Sequence, residues 1–298
     1  METITKPNLQ NQQKNFSLFI LELVEKFKPE QIYCFGKSVV SAEKNGCFIA
    51  DSSDNQHHYF LLMVTESNTR IEHEVQDYAN SKFKFGLITI LVHGKQTIAD
   101  AMAANNRFFK TVYSDGQIIY SQNGLLSRDF VSPFIPSQSA NKAKKHFSHR
   151  MSLAEGFLNG ASECLAEDQF NVCVFMLHQV VEQACIALIR VHLAYRSELH
   201  NLYRLLKICS CFSDEPNKIL LSGHSEDERL FDLLVRSYSA ARYNANFMVS
   251  QEDTISLFTR IKNFVQLTRE MCVQKIVTLE QEAEAYKQTK RESEVNHA

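Results

Sequence analysis

Proline, glycine and any imbalance of charge are all scarce in this chain. Five prolines and nine glycines occur in 298 residues. Lys and Arg total 32 against 34 Asp and Glu, a formal net charge of −2. That near-neutrality excludes a polycation built to coat nucleic acid, while leaving room for a local basic site. No run of about 18 apolar residues is free of charged or strongly polar groups, so no membrane span is expected. The richest stretch, Phe170 to Leu193, is broken by His178, Gln179, Glu182, Gln183 and Arg190 and reads as a core helix. No Cys-x-x-Cys pair exists among Cys34, Cys47, Cys164, Cys173, Cys185, Cys209, Cys211 and Cys272. Several of these sit in apolar helical runs, where a thiol acts as a small hydrophobe. Reduced, structural cysteines are expected, with Cys209 and Cys211 packing locally rather than holding zinc. The polar first fifteen residues do not resemble a signal peptide, so a cytoplasmic location is expected.

The scarce residues are unevenly placed. Pro133 and Pro136 fall in one Ser-containing stretch, which reads as a linker. Six of the nine glycines lie at or before Gly124, and only Gly223 lies beyond Gly160. Before the linker, apolar strands alternate with helical patterns. Helices are expected at 16–28, 71–82 and 97–105. Strands are expected at 31–35, 59–65 and 85–92, with a hairpin of 110–114 and 117–121 around Asp115-Gly116. This describes an α/β domain with a mixed sheet and helices. After the linker the periodicity is helical nearly throughout, with helices expected at 143–166, 168–195, 200–212, 226–246 and 252–286. Asp168 and Ser250 are candidate helix caps. The expected divisions are 1–125, a linker over 126–142, an all-α bundle over 143–286, and a polar, fraying tail over 287–298.

Strand, then Phe35-Gly36-Lys37-Ser38, then a second apolar strand resembles a minimal nucleotidyltransferase of the DNA-polymerase-beta type. The resemblance implies a phosphate-holding Gly-Ser turn and two aspartates one residue apart on the next strand. Residues two apart on a strand share a face and can grip Mg2+ together. Members run roughly Asp-Ile-Asp-Leu-Leu-Val-Val-Thr, whereas this chain has His58-Tyr59-Phe60-Leu61-Leu62-Met63-Val64-Thr65. His58 and Phe60 occupy the aspartate positions, the later strand Leu87 to Val92 has no carboxylate, and the turn reads Gly36-Lys37. A degenerate domain is therefore expected, with Gly36, Lys37 and Ser38 a vestigial nucleotide turn. Asp51 and Asp54, upstream of that strand at plausible distance from Gly36, are candidate substitutes for an Mg2+-dependent transferase. They are three apart in what reads as a loop. His57-His58 reads as a solvated strand-edge pair, with metal binding as the alternative.

The second half resembles a HEPN domain, on three motifs in order: Phe175-Met-Leu-His178-Gln-Val-Val-Glu182, His200-Asn-Leu-Tyr-Arg-Leu-Leu206, and Ser239-Ala-Ala-Arg242-Tyr243-Asn-Ala-Asn246-Phe247. His178 and Glu182 share a helix face at a spacing of four and read as a local polar pair, with a ligand as the alternative. His200 reads as a cap or surface residue, or else as a proton donor. Arg242 reads as a buried cation needing either Glu182 or a phosphate. Tyr243 and Asn246 complete the candidate ligand-binding set. The ribonuclease members of the family place a histidine beyond the arginine, with four to six residues between them. Here Phe247, Met248 and Val249 stand at those distances. The resemblance also implies a homodimer through the long helices. The expected function is binding of a nucleotide, RNA or protein partner without turnover and without a cofactor. A metal-independent ribonuclease using Arg242 and His200, and an Mg2+-dependent transferase using Asp51 and Asp54, are the alternatives.

Overall fold

A computed structural model describes residues 6–46, 49–68, 70–124 and 131–296. The chain divides into two compact units, Met1–Phe134 and Ile135–Ala298.

The first unit opens with α1 (Lys6–Phe27). Phe19, Ile20 and Leu23 are buried, and Phe16, Val24 and Phe27 pack beside them, the spacing of a single helix face. Lys28 turns the chain at φ 48°. Strand β1 (Gln31–Gly46) pairs antiparallel with β2 (Ile49–Thr65). Helix α2 (Glu72–Lys82) leads to β3 (Gly86–Gly94), which pairs parallel with β2. Helices α3 (Lys95–Ala103) and α4 (Arg107–Asp115) precede β4 (Gln117–Ser121), antiparallel to β1. The sheet order is β3-β2-β1-β4, a mixed sheet as expected. Tyr59, Leu61 and Met63 of β2 share a core with α1 and α2; the alternate residues face the other way. Gln76 of α2 donates to the Ile88 carbonyl (2.8 Å) and accepts from the Ile90 amide (3.0 Å). It thereby satisfies the edge strand β3, whose backbone groups would otherwise lack partners. Gly86 enters β3 at φ 146°, where an added Cβ would strike the His57 carbonyl.

Three expectations fail here. The segment 110–114 is not a hairpin strand but part of α4, started by Asn106, whose side chain accepts from the Phe109 amide. Phe108, Phe109 and Val112 are its buried face. Gly116 ends the helix by donating to the Val112 carbonyl (2.9 Å), so the glycine is a helix stop rather than a hairpin turn. The strand beginning at Gln31 does not end at Gly36: it passes through a bulge between Cys34 and Gly36 and continues to Gly46. Its partner carries the polar segment around Asp51 and Asp54 as strand, not loop.

The second unit begins with a 3-10 turn (Pro136–Gln138) and α5 (Ser139–Ala166), so helix already occupies the last residues of the expected linker. Central α6 (Phe170–Leu193) is packed by α5, α7 (Leu202–Cys209), α9 (Ser225–Tyr243) and α10 (Gln251–Asn296). Short α8 (Glu215–Leu220), not anticipated, rests on α7 and α10. Helix α6 is apolar and long enough to cross a membrane, yet 78% of its most apolar window is buried within the bundle, so it is a core helix. Asp168 does not cap it: Asp168 sits at φ 54° and Gln169 holds the cap position without a side-chain bond. Ser250 does cap α10, its hydroxyl accepting from the Asp253 amide at 3.1 Å. The buried stripe of α10 is Leu257, Ile261, Phe264, Cys272, Ile276 and Leu279. Ile255 stands off that stripe, 47% exposed. The helix continues past residue 286 to Asn296.

Candidate functional site

In the first unit the aspartate-equivalent positions are filled by a closed core. Phe60 is 1% exposed. It packs against Phe35, which meets Phe108 of α4 edge-on at 5.3 Å. The His58 ring lies 4.1 Å from Phe60, and its Nε2 is 2.8 Å from the Thr89 hydroxyl of β3. Neither position presents a carboxylate oxygen, so these residues do not fit a Mg2+ pair, which needs hard oxygen donors. Gly36, Lys37 and Ser38 form no turn. They lie within β1, opposite Phe60, Tyr59 and His58. His57 and His58 are buried rather than solvated, and point to opposite faces. The backbone of Asp54 pairs with Ala42; the side chains of Asp51 and Asp54 lie outside the described residues. Among the described residues no group of three or more His, Cys, Asp or Glu is placed to hold a metal ion.

The second unit brings its three motifs together. Helix α6 ends at Ala194 in the left-handed conformation (φ 59°), and the extended segment that follows returns His200 to the helix. There His200 Nδ1 lies 3.1 Å from Glu182 Oε1. Asn201, not His200, caps α7 by accepting from the Arg204 amide. The Glu182 side chain is buried, and its Oε2 has no hydrogen-bond partner. So Glu182 takes His200 rather than His178, the partner its spacing suggests. His178, 2% exposed, instead approaches Gln179 (3.2 Å) and the Tyr238 ring (4.9 Å). Burial, reinforced by the charges of His200 and Arg242, lowers the His178 pKa from 6.5 to about 4 and keeps the ring neutral near pH 7.

Arg242 is exposed, contrary to the expectation of a buried cation. Its Nε donates to the Tyr238 carbonyl at 2.7 Å. The guanidinium lies 4.5 Å from the Tyr238 ring, 5.0 Å from Tyr243 and 5.6 Å from Phe175. Among the described residues it has no carboxylate partner. Tyr238 is the shared element, since His178, His200 and Arg242 all lie against its ring. The Ser237 hydroxyl, donating to the Leu234 carbonyl (2.7 Å) and lying 3.2 Å from that of Val174, holds α9 on α6. Asn246 is exposed just beyond α9, its amide bonded to Asn244. Asn171 fastens that loop to α6, donating to the Phe247 carbonyl (2.5 Å) and accepting from the Val249 amide (3.0 Å).

Phe175, Tyr238 and Asn171 were not singled out from the sequence. The four-residue step from Tyr238 to Arg242 puts both on one helix face and was the available signal. Nothing local marked Asn171, whose partners are more than seventy residues away.

Residues 147–271 match the family model of the HEPN domain, a stretch that contains Glu182, His200 and Arg242. The helical unit, which follows the mixed α/β unit in sequence, is thus similar over most of its length to the HEPN domain. Among solved structures, the chain is similar to a nucleotidyltransferase-like protein from Exiguobacterium sibiricum 255-15, at 10% identity over 91% of this chain and 80% of that one. The TM-score is 0.30, a likeness too loose to carry any argument about fold or function. No curated protein matches the chain.

Proposed function

We propose that this protein binds the phosphate of a nucleotide or RNA at its HEPN domain and does not turn it over. The observation that carries this reading is Arg242, an exposed guanidinium ringed by Phe175, Tyr238 and Tyr243 and lacking any carboxylate partner among the described residues. A guanidinium offers forked donors to a phosphate, and flanking rings offer faces for a base. The first unit resembles a nucleotidyltransferase on the residues around Gly36. Its role here is that of a disarmed domain, supported by the Phe35–Phe60–Phe108 packing where carboxylates belong. The reading includes a homodimer through the HEPN helices, for which Val273 and Val277, exposed one turn apart on α10, offer a face. It also places the chain in the reducing cytoplasm, consistent with the free thiols at Cys34, Cys164, Cys173, Cys185, Cys209, Cys211 and Cys272.

One observation favours a second reading as a ribonuclease. His200 is anchored through Nδ1 by a buried carboxylate, the arrangement that orients an imidazole to move a proton at Nε2. The two readings separate in one experiment. The protein is heated with and without single-stranded RNA, and the RNA is then run on a denaturing gel. Binding without turnover predicts a raised melting temperature, reaching about 2.7 kcal/mol of added stability at a hundredfold excess over Kd. It also predicts intact RNA, and loss of the shift in Arg242→Ala. Cleavage abolished by both Arg242→Ala and His200→Ala would replace the binding reading with the ribonuclease. No shift and no cleavage would defeat both.

A further inference from the structure

A cavity of about 510 Å³ lies in the first unit between α1 and the sheet, within the usual range for small-molecule sites. It is on the sheet face opposite Phe60, and is therefore distinct from the position where nucleotidyltransferases place their carboxylates. Phe16 and Ile20 of α1, Tyr59 of β2, and Ile119 and Tyr120 of β4 supply an apolar and aromatic wall. Phe16 and Tyr59 stack at 4.0 Å.

Two polar features of the lining stand out. The first is His57, whose residue is 4% exposed and whose Nδ1 is buried with no hydrogen-bond partner. An unsatisfied buried ring nitrogen costs about 1–3 kcal/mol, a cost that a ligand group bonded to it would remove. Burial first, and the Lys37 charge second, lower the His57 pKa and keep the ring neutral. The second is Lys37, an exposed residue and the one cation among the described lining residues, which include no carboxylate. Its ammonium lies 5.2 Å from the Tyr59 ring centre and makes no ion pair among the described residues.

We propose that this cavity binds a small aromatic anion, with its rings against Phe16, Ile20 and Tyr59, its charge on Lys37 and a polar group on His57. The anion is specified by a lone ammonium among described lining residues without acidic groups; the aromatic body is specified by the wall. The inference does not depend on the HEPN site.

The test uses the full chain and 8-anilinonaphthalene-1-sulfonate, an aromatic anion whose emission rises and shifts to the blue in an apolar site. Saturable enhancement with one site per chain is expected. Lys37→Met should weaken it about tenfold or more, as expected for losing a charge-assisted contact. Lys82→Met, the same charge change on α2, should leave it unchanged. Ser17→Trp, on an exposed helical position that lines the cavity, should abolish it while the melting temperature reports an intact fold. The neutral analogue N-phenyl-1-naphthylamine should bind more weakly and respond little to Lys37→Met. Absence of saturable enhancement overturns the proposal. So does enhancement indifferent to Lys37→Met, or enhancement that survives Ser17→Trp, which would mark general adsorption to apolar surface.

Discussion

The two units hold comparable constellations in opposite states. In the first, Phe35, Phe60 and Phe108 close the positions that the nucleotidyltransferase resemblance would give to aspartates, with His58 held by Thr89. In the second, Arg242 stays open to solvent while His178 and Glu182 of α6 are buried. The difference teaches how a closed cluster and an open one are built. In the first unit rings fill the space, with His58 the polar side chain packed among them. In the second, a buried carboxylate oxygen of Glu182 has no partner, which costs stability unless something bonds to it.

The contrast can be broken most forcefully by putting a carboxylate at Phe60, where the nucleotidyltransferase pattern has an aspartate. Phe60→Asp should not revive metal binding but should destabilise the first unit by about 3–5 kcal/mol, the cost of a buried charge without a partner. Urea unfolding measures it. A stable variant that gains Mg2+-dependent transfer from ATP would show that the first site is only dormant.

A smaller effect concerns the ground beneath Arg242. His178 has a folded-state pKa of about 4 against an ordinary 6.5. Between those values the unfolded chain binds the extra proton, so stability falls as pH drops from about 6.5 toward 4 and levels off below. The loss should be about 3 kcal/mol by linkage, and a His178→Gln variant should show it reduced by that amount. Identical pH profiles in the two proteins would mean the ring is not held neutral by burial.

Smallest in stability, though not in binding, is Tyr243→Ala. Tyr243 is 80% exposed, so unfolding free energy should change by no more than about 0.5 kcal/mol. RNA affinity should fall by about 1–3 kcal/mol if the ring stacks on a base. An equal loss in both would make Tyr243 a structural residue.

How much of this was readable in advance depended on range along the chain. Helix α6 and the three HEPN motifs were legible because helical periodicity and four-residue steps are local. The stop at Asp115-Gly116 was misread because glycine serves both a hairpin turn and a helix C-terminus; the buried face of Phe108, Phe109 and Val112 decided for the helix. The polar segments that extend β1 and β2 carry no apolar alternation, so their pairing through Ala42 and Asp54 left no pattern to read. At the site, residue types were legible but partnerships were not. Glu182 is four residues from His178, yet its partner is His200, brought back by the turn at Ala194. The exposure of Arg242 was equally hidden, since a helix's last turn can face either way.

The central claim is that Arg242 remains a working phosphate contact on a site that binds without cleaving. Fluorescence anisotropy of end-labelled single-stranded RNA, titrated with the wild-type chain and with Arg242→Ala, tests it most directly. The account predicts saturable, salt-sensitive binding that weakens about tenfold or more in the variant, with the RNA recovered at full length. Equal affinity in the two proteins, or RNA recovered in pieces only from the wild type, would contradict it.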